Sequence, residues 1–489
     1  MPSSMIQRRR LLAGAGIAAV LPGALRAETT SAVERWKPEN SEYWDVVVAG
    51  SGVAGLSAAA SAIDSGAKNV IVLEKGPIVG GHSIYSSGTV TAVAPERSKD
   101  KEDTVERFVE DALEVGGGTG DPDLLAKIGE DSGKVLNWLE GMGVFWSAPF
   151  IAYSGKHAKS YAMPGNSAGR SYVLALTAYL RRCGCRMRLS SPVTNIEPAG
   201  SCWQVEVRTP EGRRTLKTRA LVIACGGFTA NVEARMKINP LLTADLTTSA
   251  NPSGTVFDGA TGELIEMARR EGALITRGFG LQALPFWGGR LLDYQGADIY
   301  VDRRGHRFVN ENSPWNTISN AILSLPEKRC WVITDNQSYK GATLGVKLIN
   351  GVVKKSNSIE DMAKGMDLKS SVLRKTIEEY NRKVDAGFDE ATGKTFFRQK
   401  IERPPFYWGA EQIYVHTTLD GLRINRSAEV IGSDGTVMAG LYAAGECTGG
   451  IFGRDRLGGA GMTACFVLGR EAGRQAALRA KMLMESERS

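Results

Sequence analysis

The chain has 489 residues, enough for two or three domains, and its 43% hydrophobic and 23% charged residues are ordinary for a soluble globular protein. The formal charge is +7, but four arginines (Arg8, Arg9, Arg10 and Arg26) lie in a segment that we expect to be removed, which leaves +3. No basic run interleaved with aromatic residues occurs in the sequence, which argues against nucleic-acid binding.

The first 27 residues have the pattern of a cleavable export signal. A basic cluster at positions 8–10 precedes an apolar stretch too short to span a bilayer, and the small residue Ala27 offers a cleavage site. The arginine pair followed by leucines resembles the twin-arginine type, which exports folded proteins. An uncleaved N-terminal anchor is the alternative, although a single signal seldom anchors stably. We predict a periplasmic protein with no integral membrane segment after cleavage.

The seven cysteines and four histidines show no metal or disulfide pattern. The cysteine count is odd, no Cys-x-x-Cys occurs, and Cys183-Gly-Cys185 is a poor zinc pair. The histidines, at positions 82, 157, 306 and 416, lack metal-ligand spacing. We therefore expect no metal site, no disulfide framework and no covalently attached haem.

The first predicted elements form a dinucleotide-binding unit. A strand leads into "GSGVAG" at positions 50–55, an alanine-rich helix follows, and a second strand ends at Glu74. Gly50 permits the tight turn, Gly52 lets a pyrophosphate approach the backbone, and Gly55 lets the helix pack closely on the strand. The helix N-terminus attracts phosphates, and Glu74 would accept hydrogen bonds from the adenosine ribose.

Two later glycine-rich elements favour FAD over a nicotinamide dinucleotide. The apolar strand of "RALVIACGGFTAN" ends at Gly226-Gly227, and that of "VMAGLYAAGECTGG" ends just before Glu446. A domain that binds only NAD needs neither of these two additional strands with their glycine-rich turns. The ribityl chain of FAD needs its own acceptor, for which Glu446 is the candidate, so the sequence predicts FAD as the cofactor.

The motifs "VVAGSGVAGLSAA", "EKGPIVGGHS", "ACGGFTAN", "RGHRFVNE", "ERPPFY", "GLYAAGECTGG" and "RLGG" together resemble the fumarate reductase and succinate dehydrogenase flavoprotein family. They follow the family's order from about residue 44 to 475, most like the soluble flavocytochrome c branch without its haem domain. The resemblance implies an α/β fold, with a Rossmann-like FAD-binding domain of the glutathione reductase type and an inserted α+β capping domain. We predict the signal at 1–27, FAD-binding pieces at 28–277 and 417–489, and the cap at 278–416.

The resemblance also implies which residues hold FAD. The helix that starts near Ala460 would point its N-terminus at the flavin N1/C2=O edge, where reduced flavin carries negative charge. His82 falls where succinate dehydrogenase flavoproteins attach their flavin covalently, so a covalent bond and a plain contact both stay open. The expected FAD contacts are Gly50, Gly52, Val53, Ala54, Gly55, Glu74, Lys75, His82, Ser83, Ser87, Gly88, Val193, Gly227, Asp258, Glu446, Ala460, Gly461 and Met462.

The cap should cover the face of the flavin. Its "GADIYVDRRGHRFVNE" predicts a hairpin that turns at positions 303–305, and "SSVLRKTIEEYNRKVDAG" predicts an amphipathic helix that ends near Gly387. By resemblance the cap is mobile and the substrate lies in the crevice beneath it. Arg456 of "RLGG" occupies the family position that binds a substrate carboxylate or carbonyl; a surface salt bridge is the alternative for this residue.

Three family groups that handle a dicarboxylate are replaced in this chain. Trp315 stands where family fumarate reductases carry a proton-donating arginine, and Leu284 and Thr417 stand where two histidines bind a carboxylate. A second carboxylate would meet apolar side chains there, and an unpaired buried carboxylate is costly. We expect an apolar or aromatic slot, extended by Phe286, Trp287 and Tyr294, and a substrate larger and flatter than fumarate.

Hydride chemistry also needs a proton donor or acceptor opposite flavin N5. We rank Arg290 and His416 first, because both lie in cap segments that should border the cleft. Core packing or a surface position is the alternative for every candidate. The full set is Arg290, Tyr294, His416, Tyr414 and Tyr161.

These features predict an exported FAD-dependent oxidoreductase. It would transfer hydride between flavin N5 and a CH–CH or C=C bond of a small, mostly apolar molecule that bears a carbonyl or carboxylate. Because no haem motif is present, electrons need a separate carrier, such as a c-type cytochrome or a quinone-linked protein. The alternatives are a relative of the 3-ketosteroid dehydrogenases, which fits the apolar slot, and a non-catalytic flavin-binding electron-transfer subunit, which fits the replaced groups.

Overall fold

The computed structural model describes residues 42–164, 168–285, 288–292, 294–340 and 344–487. The predicted export signal, Phe286 and Trp287 lie outside these ranges. The strands are β1 (Glu42–Ala49), β2 (Val70–Leu73), β3 (Val90–Thr91), β4 (Phe150–Ile151), β5 (Lys159–Tyr161), β6 (Arg186–Arg188), β7 (Val193–Ala199), β8 (Cys202–Thr209), β9 (Gly212–Ile223), β10 (Ile275–Thr276), β11 (Leu281–Leu284), β12 (Ile299–Val301), β13 (Arg329–Thr334), β14 (Lys354–Ser356), β15 (Phe406–Gln412), β16 (Tyr414–Thr418), β17 (Gly421–Leu422), β18 (Glu429–Ile431) and β19 (Val437–Ala443). The helices are α1 (Val53–Asp64), α2 (Pro95–Ser98), α3 (Val105–Val115), α4 (Pro122–Glu140), α5 (Ala168–Arg182), α6 (Val232–Ile238), α7 (Glu263–Arg270), α8 (Trp315–Leu323), α9 (Leu344–Ile349), α10 (Ile359–Met366), α11 (Ser370–Ala386) and α12 (Ala460–Ser486), with a 3-10 turn at Gly81–Tyr85.

The sheet around β1 carries the dinucleotide-binding unit. β1 pairs in parallel with β2 and with β9, and β19 pairs in parallel with β9, in the order β18-β19-β9-β1-β2-β6. The apolar residues of β1 and β2 are buried, as the near-continuous hydrophobic runs of a parallel sheet require. The strands predicted from the three glycine-rich motifs are therefore neighbours, and their carboxyl ends meet at one edge, where ligands bind in such sheets.

Small residues let α1 and α12 pack backbone against backbone. A Cβ on Gly469 would lie 2.4 Å from the Ala54 oxygen, and one on Gly473 would lie 2.0 Å from the Ala58 oxygen. Both pairs advance by four residues, so the two helices run in the same direction. Because α12 begins eight residues before the position that matches the start of α1, its N-terminus extends about 12 Å beyond that of α1 along the direction of the helices.

The predicted cap contains a second sheet of antiparallel strands in the order β12-β13-β15-β14. α10 and α11 pack on one face of this sheet and α8 on the other. The amphipathic helix predicted in this region is confirmed as α11, which ends at Gly387 with φ of 72°. The predicted hairpin is shorter than expected: after the turn at Gly305 only one bridge, Val301 to Arg307, forms, because β12 pairs with β13 instead.

Two short antiparallel pairs flank this sheet in the chain: β11 of the predicted cap pairs with β16, whereas β10 and β17, which pair with each other, both lie in the predicted FAD-binding pieces. The predicted boundary between residues 416 and 417 falls inside β16, so that strand carries residues of both predicted domains. The α/β fold is confirmed, whereas the boundaries at 277, 416 and 27 stay predictions. None of the described helices combines the length and apolarity needed to cross a membrane.

The close contact of α1 with α12 predicts a difference between two glycine variants. Gly469→Ala should lower the free energy of unfolding by about 1–3 kcal/mol, because its Cβ would press on the α1 backbone. Gly345→Ala is the control, since a Cβ at that helical glycine meets nothing within 4 Å. Urea unfolding followed by circular dichroism measures both, and equal midpoints would contradict the contact.

Candidate active site

The glycines of the turn after β1 differ in what requires them. Two are needed for packing of the fold, and the third is not. A Cβ on Gly50 would lie 2.1 Å from the Ala224 oxygen, and one on Gly55 would lie 2.0 Å from the Gly50 oxygen. A Cβ on Gly52 would meet nothing closer than Ser83 Oγ, at 3.4 Å. The described residues therefore do not by themselves require glycine at position 52, which is consistent with a glycine kept for the close approach of a pyrophosphate to the N-terminus of α1.

Glu74 stands at the end of β2 and is already partly engaged by the protein. Its Oε2 accepts hydrogen bonds from the Ser51 amide and hydroxyl, at 3.1 and 2.6 Å, and its Oε1 accepts one from the Gly76 amide at 2.7 Å. An ionised carboxylate has about four acceptor positions, so one remains on Oε1. That position fits a ribose hydroxyl, as the sequence predicted.

The other residues predicted at the adenosine and pyrophosphate end lie around the same edge. Ser83 Oγ accepts a hydrogen bond from the Val53 amide at 3.1 Å. Lys75 donates to Glu263 at 2.9 Å and to Thr261, two partners that the sequence analysis did not consider. Ser87 is exposed, Gly88 has φ of 75°, and Val193 begins β7 just after Ser191, whose amide donates to the Glu74 backbone.

The flavin end is built around Glu446, which follows β19. A Cβ on Gly227 would lie 2.5 Å from Glu446 Oε1 and 2.1 Å from Thr418 Oγ1, so this approach requires glycine. The Thr418 amide donates to Glu446 Oε1 at 3.0 Å. Burial raises the pKa of Glu446, while His82, the Thr418 amide and Arg456 oppose that rise. Within the described ranges only Thr418 donates to this carboxylate, which leaves acceptor positions for a ribityl chain.

The guanidinium of Arg456 rests on the first turn of α12. Gly459 precedes this helix with φ of 78° and provides no side-chain cap. The amides of Ala460 and Met462 donate to the Leu457 and Gly459 carbonyls, both at 3.1 Å, so within the described ranges the Gly461 amide is the one of these three that is left for a ligand. A Cβ on Gly461 would lie 1.6 Å from Arg456 Nη1, so the guanidinium can occupy this position only while residue 461 is glycine. The positive end of the helix dipole and the guanidinium thus lie together, which favours an anionic or carbonyl oxygen.

Arg456 is held by two residues that the sequence analysis did not assign. Its Nη2 donates to Gln282 Oε1 at 3.2 Å, and the Gln282 amide nitrogen donates to Asp455 Oδ1. Asp455 Oδ2 accepts from the Asn316 amide at 3.1 Å, which caps α8 of the predicted cap. Arg456 Nε is buried and has no hydrogen-bond partner in the described structure. Burial lowers the pKa of Arg456, whereas Glu446 and Asp455 raise it.

An aromatic pair borders the same loop. The indole of Trp315 stacks on Tyr153 with ring centroids 4.3 Å apart, and the Tyr153 carbonyl accepts from the Gly458 amide at 3.0 Å. Arg290 Cζ lies 4.7 Å from the Trp315 centroid and 5.0 Å from the Tyr153 centroid. These three distances are similar, so the guanidinium lies beside the stack. Burial raises the pKa of Tyr153 to about 12, and its phenol is therefore neutral.

The register of β11 and β16 places the remaining slot residues. Gln282 lies directly opposite Thr417, so the two side chains share a face beside Arg456. Leu284 is buried in one apolar cluster with Trp315, and Tyr153 packs against that cluster. The structure therefore brings Leu284, Trp315 and Thr417 to the surroundings of Arg456.

Two histidines are linked through the segment that precedes α7. His416 Nδ1 lies 2.7 Å from the Ser249 hydroxyl, and burial, followed by Arg456 and His82, lowers the pKa of His416 well below its usual value. His82 Nε2 lies 2.6 Å from Asp258 Oδ1. Although burial opposes ionisation of both partners, their mutual hydrogen bond raises the pKa of His82 and holds that of Asp258 at about 2. The surroundings therefore favour the protonated form of His82 and the neutral form of His416.

A family model described as "FAD binding domain" matches residues 45–462. The chain belongs to this FAD-binding flavoprotein family. The flavoprotein is 32% identical to a probable fumarate reductase of Shewanella frigidimarina, across 89% of this chain and 75% of that relative. It is 31% identical to a urocanate reductase of Eggerthella lenta, across 88% and 74%.

Solved structures agree with this assignment. The flavoprotein resembles the open conformation of a flavocytochrome c3 fumarate reductase with a TM-score of 0.74 and 30% identity, covering 90% of this chain and 79% of the other. A 3-ketosteroid Δ4-(5α)-dehydrogenase of Rhodococcus jostii matches with a TM-score of 0.69 at 22% identity, which shows a shared fold alone. The predicted family, the FAD cofactor and the oxidoreductase class are confirmed.

The flavoprotein does not bring every candidate to the site. Tyr294 packs with Tyr407 in a separate apolar cluster of the cap, with Arg398 over its ring. Tyr414 accepts a hydrogen bond from Gln412, and Tyr161 donates to the Ala94 carbonyl in the core. These contacts give the three tyrosines packing roles, whereas Arg290 and His416 remain near the groups around Arg456.

The contacts of Gln282, Asp455 and Tyr153 could not be derived from the motifs. Gln282 lies within "LQALP" beside Leu284, but only the β11–β16 register shows that it faces Thr417. Asp455 stands between two arginines in the sequence, and its bond to the cap depends on where α8 begins. For Gln282, Asp455 and Tyr153, the one signal in the sequence was the acidic residue that directly precedes Arg456.

The His82–Asp258 pair predicts how the flavin leaves the denatured protein. His82 Nε2 faces Asp258 at 2.6 Å, so this nitrogen is engaged by a carboxylate rather than available for a covalent bond. We expect the yellow colour in the supernatant after acid precipitation. Colour that stays in the pellet of the parent protein and moves to the supernatant in His82→Asn would establish the covalent link instead.

Proposed function

We propose that this flavoprotein is an exported enzyme that reduces or forms a carbon–carbon double bond next to a carbonyl or a single carboxylate. Its substrate is mostly apolar and is not fumarate. The observation that carries the proposal is the half-buried Arg456, whose buried Nε has no partner in the described structure, beside the face that Gln282 shares with Thr417 and near the apolar cluster of Leu284 and Trp315. FAD, when bound, supplies the hydride-transfer chemistry, and the residues of the chain bind, orient and protonate the substrate.

Arg456 is proposed to anchor the substrate oxygen. A buried donor without a partner costs about 1–3 kcal/mol, so a ligand oxygen at Nε is favoured. Gln282 and Asp455 hold the guanidinium in place, and Gly461 keeps it against the start of α12. The carboxylate or carbonyl next to the reacting bond would therefore lie at the positive end of the helix, where negative charge that develops during reduction is stabilised.

The groups around Arg456 argue against a second carboxylate on the substrate. Leu284 has no polar atom in its side chain, and His416 is neutral because of its lowered pKa. Thr417 offers only a hydroxyl, which has the Thr418 carbonyl as its acceptor at 3.4 Å. With Arg290 assigned to proton donation, the second carboxylate of a dicarboxylate would meet Leu284, the neutral His416 and one hydroxyl, which is costly in a buried site. A flat apolar group beside the Trp315–Tyr153 stack fits better.

Arg290 is proposed as the proton donor. Trp315 occupies the position of the family arginine by resemblance, and the Arg290 guanidinium lies 4.7 Å from its indole centroid. The chain thus places a guanidinium near that position from a different segment. Asp298 lies close by, and burial raises its pKa to about 6 although Arg290 opposes the rise, so this carboxyl can take up or release a proton near neutral pH.

Export and the electron partner complete the proposal. The twin-arginine pattern and the likeness to a flavocytochrome support a periplasmic location. The sequence carries no Cys-x-x-Cys-His motif, so we propose a separate carrier, a c-type cytochrome or a quinone-linked protein, as the source or acceptor of electrons.

Reoxidation of the reduced flavin tests the activity directly. The protein is photoreduced without oxygen and mixed with acrylate, cinnamate, an aryl enone, a 3-ketosteroid enone or fumarate. We expect the oxidised flavin spectrum to return fastest with an aryl enoate or enone, and at least a hundredfold more slowly with fumarate. Reoxidation by a cytochrome but by none of the organic compounds would favour the electron-transfer subunit, and bleaching of oxidised flavin by a saturated 3-ketosteroid would favour the dehydrogenase.

Variants of Arg456 and Arg454 distinguish loss of the proposed substrate anchor from loss of a surface charge. Arg456→Gln should lower kcat/KM by about 30-fold to a few thousandfold, the cost of 2–5 kcal/mol for losing a buried charge partner, while FAD stays bound. Arg454→Gln is the matched control, because Arg454 is exposed and should change kcat/KM less than twofold. Similar losses in both variants would remove Arg456 from the proposed anchor role.

The proton donor has a different kinetic signature. Arg290→Gln should lower kcat by about 10²–10⁴ with little change in KM, because proton transfer is lost while the anchor remains. His416→Gln is the comparison, and we expect a smaller effect because a neutral imidazole with a depressed pKa is a poor acid. The reverse order of effects would assign the proton to His416.

A further inference from the structure

The segment 251–257, here called the Phe257 loop, presents two exposed apolar side chains at the edge of the FAD-binding sheet. The Asn251 side chain clamps it, since Oδ1 accepts from the Val256 amide at 3.1 Å and Nδ2 donates to the Val256 carbonyl at 2.9 Å. Gly254 makes the turn with φ of 71°. Phe257 nevertheless remains 54% exposed. The Asn251 hydrogen bonds fix the position of this loop, and its exposed aromatic ring is therefore available for contact with a ligand.

The ring lies beside the residues that face the adenosine end of FAD. A Cβ on Gly76 would lie 2.9 Å from Phe257 Cε1 and 3.1 Å from Glu74 Oε1, so these two atoms are at most 6.0 Å apart, the sum of the two distances. A Cβ on Gly259 would lie 3.2 Å from Lys75 Cε and 3.3 Å from Phe257 Cε1. Because Gly76 and Gly259 have no side chains, the Phe257 ring can lie next to Glu74 and the aliphatic part of the Lys75 side chain.

We infer that Phe257 forms an aromatic wall against which the adenine of FAD packs. Glu74 Oε1 retains one acceptor position, which fits a ribose hydroxyl. The base of a nucleoside is joined to the carbon next to the one that bears the 2′-hydroxyl. When the ribose is bound at Glu74 and its base is directed towards Gly76, the adenine lies within reach of this ring. Adenine then covers the exposed side of Phe257, and this contact stabilises FAD through base–aromatic stacking.

The assignment rests on FAD as the cofactor and not on the proposed substrate. It has a specific consequence, because FMN shares the flavin, the ribityl chain and one phosphate with FAD but has no adenosine. Phe257 should therefore contribute to binding of FAD and ADP and not to binding of FMN. This selectivity separates an adenine wall from a ring that merely supports the fold or the flavin end.

The test compares Phe257→Ala, Phe257→Tyr and Phe145→Ala apoproteins by titration with FAD, FMN and ADP. Phe145 is the matched control, since it is 56% exposed and is not among the groups that approach Gly76 or Gly259. We expect Phe257→Ala to weaken FAD and ADP about ten- to a hundredfold, with FMN changed less than twofold. Phe257→Tyr should retain FAD affinity, and Phe145→Ala should behave as the parent. If acid does not release the flavin, the same series is made in a His82→Ser protein.

Three results would overturn the assignment. Unchanged FAD and ADP affinity in Phe257→Ala would mean that adenine does not touch the ring. Equal weakening of FAD and FMN would point to a general effect on the fold. A change in oligomeric mass of Phe257→Ala on a sizing column, with FAD affinity retained, would show that another copy of the chain covers the ring instead.

Discussion

The guanidinium of Arg456 lies against the first turn of α12, and this is allowed only because residue 461 has no side chain. Two sources of positive charge, a half-buried arginine and a helix N-terminus without a side-chain cap, then share one small volume. Such a volume is costly unless an anion or a polar oxygen enters it. The need for such an oxygen explains three features of the site. These are the glycines around Arg456, the residues that replace the family's carboxylate-binding groups, and the support of the guanidinium by Gln282 and Asp455.

The packing of α1 on α12 determines how far this volume lies from the phosphate end. Gly469 and Gly473 bring the helices into backbone contact in parallel, and the N-terminus of α12 extends about 12 Å beyond that of α1 along the direction of the helices. One helix N-terminus can then serve a pyrophosphate and the other a flavin ring. An extended dinucleotide needs two such ends at a fixed separation, and close helix packing provides it.

Asp455 connects this arrangement to the cap. Its carboxylate accepts from the Arg456 amide, from the Gln282 side chain and from the Asn316 amide at the start of α8. Burial raises the pKa of Asp455, but these donors and the charge of Arg456 oppose the rise. The position of α8, and with it of the Trp315 indole, is therefore tied to the residue that precedes the anchoring arginine. Cap position and anchor geometry depend on one carboxylate.

The sequence by itself determined the local chemistry: which glycines turn after a strand, which acid ends β2, and that FAD is bound. Those features depend on residues within one motif, so spacing and residue type suffice. The tertiary structure decided everything that depends on two distant segments. The register of β11 against β16 placed Gln282 opposite Thr417, and the start of α8 put Trp315 on Tyr153 with Arg290 beside them. Pairing register and helix placement come from packing of the whole core, which no single motif encodes.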